Sequence, residues 1–165
     1  MKPLIILVTV FGLSLVTTRI CCNGFDVSLS GRIGMSAMLL FTSAGHFLFT
    51  NGMTMMLPAF IPNKKEIVYA TGIVEIAAAV GLLIPASSIT TAWLLIIFFI
   101  LILPANIYAA INRVDYQKGT FDGNGTSYLG FRIPLQVLFI VWVYLSAIKV
   151  GTYNLSAYFH KNQTR

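Results

Sequence analysis

Six side chains bring polar chemistry into otherwise apolar runs of this sequence: His46, Glu75, Asn106, Tyr108, Arg132 and Gln136. Glu75 is the sharpest case. It is the one carboxylate in TGIVEIAAAVGLLIP, residues 71–85, and within hydrocarbon a carboxyl group is costly unless it is neutral, paired or turned toward a cavity. His46 brings an imidazole, a side chain suited to proton exchange near neutral pH. Asn106 and Gln136 offer amides, Tyr108 a phenol and Arg132 a planar guanidinium fork. Such a set can exchange a proton through Glu75 and His46 and orient a ligand oxygen through Arg132 or Gln136. It does not single out a catalytic residue.

Other chemistries lack their residues. The sequence has no HExxH, no Cys/His metal grouping, no phosphate-binding glycine loop and no Ser/His/Asp set. A haem pair needs histidines at matched depths, whereas His46 lies in an apolar run and His160 in the tail. Cys21 and Cys22 are adjacent, so their Cα atoms lie ~3.8 Å apart, under the ~4.4–6.8 Å of ordinary disulfides. They read as free thiols at a membrane boundary, open to acylation. Asn124, Asn154 and Asn162 each begin an N-x-[ST] triplet, a short pattern that chance also produces.

The elements that must position the six are membrane helices. Of the 165 residues 57% are hydrophobic and only 10% charged, with mean hydropathy +0.82, far from the roughly one-quarter charged composition of soluble domains. Spanning takes ~20 apolar residues, and five runs approach that: 3–18, 32–49, 66–84, 89–111 and 133–148. MTMMLPAF, residues 53–60, is too short to cross and carries Pro58, so it is expected in the headgroup layer or at a cavity mouth. Lys2 followed by Leu4–Val16 also fits a secretory signal, but Thr17, Thr18 and Arg19 make a poor cleavage context, which favours a retained helix. NRVDYQKGTFDGNGTSYLG, residues 112–130, is turn-rich and reads as a surface loop. The expectation is an all-α, compact transmembrane bundle forming a single membrane domain over 1–165.

The charge pattern leaves the orientation open. One side receives Lys2, Lys64, Lys65, Arg113, Lys118 and Arg132, the other Arg19, Arg32, Lys149, Lys161 and Arg165, which is no bias. The net charge of +6 suits flanking residues held against anionic lipid headgroups. No clustered basic face with interleaved aromatics is present, which argues against a nucleic-acid partner.

Glu75 falls near the bilayer midplane, ~13 Å from either end of its run. Its helical neighbours Thr71, Gly72, Ala78 and Ala79 are small, so another helix can approach that face and Glu75 points inward. Threading the chain back and forth puts His46, Asn106, Arg132 and Gln136 in the same, N-terminal-side half of the membrane. Pro134 suits the first turn of its helix, making Arg132 a boundary residue, and Pro104 kinks the fourth span beside Asn106. The expectation is a polar pocket open to that side, walled by His46, Asn106, Tyr108, Arg132 and Gln136 with Glu75 as its floor. The alternative is that these groups bond one another and fix helix packing. A direct Glu75–Arg132 ion pair is strained by the depth offset.

Four stretches taken in order, SAGHFLF, TGIVEIAAAVGLLIP, LPANIYAAI and FRIPLQ, carry a likeness. From about Arg32 to Ser146 the chain resembles the DoxX-like family of small bacterial integral membrane proteins. The resemblance implies a four-helix core with one appended N-terminal helix, in the bacterial plasma (inner) membrane. It also implies a redox association, since some relatives form part of thiosulfate:quinone oxidoreductases. A quinone or similar lipid-soluble ligand and a redox partner subunit are therefore expected, with no covalently bound cofactor and no metal. The competing expectation is an accessory or assembly protein with structural polar groups. Transport needs a through-route and an inverted repeat, and neither is visible.

Overall fold

Asp26 starts the second helix: its carboxylate accepts the Leu29 N–H at 2.8 Å, an N-cap placed earlier than the apolar run itself begins. The computed structural model describes residues 2–22 and 24–149; His160, Asn154, Asn162, Lys161 and Arg165 lie outside the described residues, as does the Cys22 side chain. Cys21 is an exposed free thiol. The helices are α1 (Lys2–Cys22), α2 (Val27–Leu48), the short α3 (Thr50–Thr54), α4 (Lys64–Leu83), α5 (Ser88–Ile111) and α6 (Leu129–Val143). A 3-10 turn, Gly125–Tyr128, leads into α6, and a π-helical turn, Tyr144–Lys149, continues it. The described residues are all helix, turn and loop apart from one isolated bridge, Asp115 to Thr120.

Among the described residues, four segments are long and apolar enough to cross a membrane: Lys2–Cys21, Lys64–Leu83, Ser88–Ile111 and Gly125–Lys149. They mark a membrane protein. The expected second span, 32–49, is the one outside this set: α2 has 22 residues, enough for length, but is diluted by Ser, Gly, Arg32 and His46. Packing explains the dilution. α2 meets α1, α4 and the end of α6 together, so it needs small side chains more than lipid-facing ones. A Cβ on Gly34 would sit 2.9 Å from the Leu7 carbonyl oxygen, and one on Gly31 would sit 2.7 Å from Ser146 Cβ. Ser14 donates to Ser30 at 3.1 Å, Ser36 to the Ala79 carbonyl at 2.8 Å and Ser28 to the Ser146 carbonyl at 2.6 Å, tying three neighbours to this helix.

α2, α4, α5 and α6 close a ring in which each packs on the next, and α1 lies outside it against α2. The ring's interior mixes apolar and polar side chains. Met35, Leu39, Ala79, Leu82, Leu95 and Val143 form part of its apolar core, and Ser36, Ser43, Glu75, Asn106 and Gln136 are buried polar side chains beside them. Outer faces present Ile73, Val80, Leu94, Ile97, Leu101 and Val137, the apolar exterior that lipid requires.

Two boundaries differ from expectation. α6 begins at Leu129, so Pro134 sits inside it beyond the first turn and Arg132 is helical; the 3-10 turn nucleates the helix before the proline. The 53–60 segment divides, Met53 and Thr54 ending α3, Met56 buried, and Phe60 85% exposed. Trp142 donates its indole N–H to the Gly31 carbonyl at 3.0 Å and meets Phe11 edge-on at 4.9 Å. Trp142→Phe keeps the ring contact and loses the bond, so a loss of about 1 kcal/mol is expected. Thermal unfolding in detergent should show it as a drop of about 2–4 °C.

Candidate functional site

α2 and α4 run antiparallel, and helical side chains lean toward their own N-terminus. His46, near the end of α2, therefore leans deeper into the bundle, and Glu75, mid-way along α4, leans back toward it. Gly72 lets the two backbones approach: a Cβ there would lie 3.0 Å from His46 Cβ. The result is a contact of 3.6 Å between His46 Nε2 and Glu75 Oε2. Glu75 lies three residues beyond Gly72, an axial offset of only ~4.5 Å that the two side chains span.

Thr71 positions the imidazole. Its hydroxyl lies 2.8 Å from the Val68 carbonyl oxygen and 3.0 Å from His46 Nδ1. With its hydrogen on the Val68 carbonyl the hydroxyl accepts from Nδ1–H, and with its hydrogen turned to the ring it donates to Nδ1; either way Thr71 holds the imidazole in place. Nε2 faces Glu75 Oε2. At 3.6 Å the two heavy atoms stand beyond hydrogen-bond distance. Glu75 is 5% exposed, and its Oε2 is buried without a hydrogen bond.

The remaining expected residues do not join this pair. Gln136 donates its side-chain amide to the Phe99 carbonyl, one residue from the Ile100 carbonyl that Pro104 deprives of its helical N–H. Its Oε1 is buried without a partner. α5 runs on through Pro104 as one helix. Asn106 is 7% exposed and its amide makes no hydrogen bond among the described residues. Tyr108 contributes its carbonyl, which accepts Asn112 Nδ2 at 2.8 Å. Arg132 lies over the Tyr128 ring at 5.5 Å and forms no ion pair with Glu75, as the depth offset required. Two concavities, of about 310 and 400 Å³, open at this end of the bundle, and none of the six residues lines either. No group of three or more His, Cys, Asp or Glu suited to a metal occurs among the described residues.

Thr71 is the participant that reading the sequence missed as a polar group, although it stands in the quoted acidic stretch. The signal was its spacing: four residues before Glu75 on one helical face, three after Val68. The Gln136 contact gives a second prediction. Gln136→Leu removes one bond to a carbonyl that its own helix also serves, and removes the orphaned Oε1. Stability should change by no more than about 1 kcal/mol, read by thermal unfolding.

Comparisons with curated proteins and with solved structures give no match. A family model does match, the domain of unknown function DUF8561, over residues 35–147, from within α2 through the π-helical turn. Those residues hold His46, Thr71, Glu75 and the ring that encloses them, so by this match the chain belongs to the DUF8561 family.

Proposed function

We propose that this is a redox-associated integral membrane protein of DoxX-like architecture that binds a quinone or similar lipid-soluble ligand at the His46–Glu75 pair. The ring of α2, α4, α5 and α6 is read as the DoxX-like four-helix core, α1 as its appended helix, and the bacterial cytoplasmic membrane as its location. One observation carries the reading: a buried carboxyl oxygen in mid-helix that lacks a hydrogen bond and stands 3.6 Å from an imidazole whose other nitrogen is fixed by Thr71. An oxygen of a bound head group fits that orphan, because it can take the missing hydrogen bond. A bound quinone would supply electron acceptance, with electrons delivered by a redox partner subunit. The chain's part is to hold one proton at Nε2 or Oε2, orient it through Thr71, and keep water out by burial.

Native mass spectrometry of gently extracted protein tests this. A copurified quinone or comparable lipid-soluble molecule is expected, and its absence from protein that also takes up no added quinone sinks the reading. The Gln136–Phe99 contact favours a second reading, an accessory or assembly protein whose polar groups hold helices together. Under it, variants at Glu75 lose stability and no ligand is found.

A further inference from the structure

Arg113 closes α5 in a backbone conformation that its side chain disfavours. Past the last helical residue, Ile111, the Arg113 N–H donates to the Ala110 carbonyl at 3.2 Å and the Val114 N–H to the Ala109 carbonyl at 2.8 Å. That pattern ends a helix through one left-handed residue, a position where glycine is the unstrained choice. Here the residue is Arg113, with φ 54°. Strained positions of this kind gather at binding sites. The loop is fitted around this arginine: its carbonyl accepts the Gly123 N–H at 2.7 Å, and a Cβ on Gly125 would lie 3.4 Å from its Cγ and 3.5 Å from its Nε.

The side chain borders the larger concavity, about 400 Å³, whose wall also carries Asn124, Thr126 and Ser127. One guanidinium, two hydroxyls and an amide offer donors to the oxygens of an anion. The Arg113 side chain makes no hydrogen bond or ion pair among the described residues, and the carboxylates of its own loop, Asp115 and Asp122, lie 3.6 and 3.9 Å from Lys118. A second guanidinium, that of Arg132, stands 5.5 Å from the ring centre of Tyr128, the residue after Ser127, and adds positive potential. A guanidinium fork matches two oxygens of one phosphate. Ile111, 62% exposed, forms the apolar edge of the hollow and ends a helix long enough to span a membrane, which sets the hollow at the membrane surface. We infer that this hollow binds a phosphate group, carried on a lipid head or free in solution, with Arg113 as its main contact and Thr126 and Ser127 as further donors. The site is separate from the His46–Glu75 pair and stands whether or not that pair binds a quinone.

Thermal unfolding of the full chain in detergent tests this, at constant ionic strength, with phosphatidylglycerol, diacylglycerol of the same chains, or inorganic phosphate added. A saturable rise in melting temperature is expected with a phosphate-bearing ligand and none with diacylglycerol. Arg113→Gly separates binding from folding. Without ligand its melting temperature is expected to rise by about 2–4 °C, since glycine accepts the left-handed backbone, while its apparent affinity falls about tenfold or more. Arg113→Gln keeps the backbone conformation and is expected to lose affinity likewise. Thr126→Ala with Ser127→Ala should weaken binding about three- to tenfold. An Arg113-dependent response to phosphatidylglycerol but not to inorganic phosphate assigns the lipid head, and the same response to inorganic phosphate alone assigns the free ion. Binding by Arg113→Gln equal to that of the parent overturns the site. An equal response to diacylglycerol overturns the phosphate chemistry, and no response to either phosphate-bearing ligand overturns the inference altogether.

Discussion

Glu75→Gln is expected to hold thermal stability within about 1 kcal/mol of the parent protein, while copurified or added ligand is retained about ten- to a hundredfold less well. The two halves of that result have separate causes. Glu75 Oε2 has no hydrogen bond to lose, since His46 Nε2 stands 3.6 Å away, and an amide fills the carboxyl's volume. What disappears is the ability to give or take a proton and one charge-assisted bond to a ligand oxygen, worth ~1.5–3 kcal/mol. Glu75→Leu extends the test, because an apolar side chain in place of a buried ionisable group is often neutral or stabilising. Ligand loss with an unchanged melting temperature in both variants supports the proton site. A loss of ~3–5 kcal/mol with no ligand effect is the mark of a structural ion pair broken at one end, and sinks it.

The second large effect belongs to Gly52→Ala. A single methyl group there would lie 1.9 Å from the Tyr116 carbonyl oxygen and 2.6 Å from its carbonyl carbon. Both obstacles are backbone, so no rotamer change relieves them and the 112–124 loop must leave α3. Overpacking of this kind costs ~1–3 kcal/mol or more, to be read by thermal unfolding. Displacing the loop also separates Phe49 from Tyr116, whose rings meet edge-on at 6.2 Å. Gly45→Ala is the control: its Cβ would meet only Met53 Cε at 3.6 Å, an ordinary contact, and alanine favours the helix. Equal behaviour of the two variants overturns the claim that the loop is pinned at Gly52.

Several features were legible in residues alone. Apolar runs of helical length announced a membrane bundle, and Glu75 among small neighbours announced an inward-facing carboxyl group. Those readings hold because lipid imposes them locally: each helix must satisfy its own backbone, and a charge-bearing side chain must find an interior. Helix starts were less legible. Asp26 and the 3-10 turn at Gly125–Tyr128 begin helices from polar residues, so hydropathy placed Arg32 and Arg132 at ends that lie further along the chain.

What the sequence by itself determined, then, was the solvent this chain folds in, the number of long helices to within the polar α2, and the small set of side chains that water or protein must satisfy. Only the tertiary structure decided which of that set meet. His46 and Glu75 touch because antiparallel helices tilt their side chains toward each other across Gly72, whereas Gln136 turns to the Phe99 carbonyl and Arg132 to the Tyr128 ring. Spacing along one helix fixes depth and face, but the contact between two helices depends on their relative register and separation, and those are set by every glycine and serine packed along α2 at once.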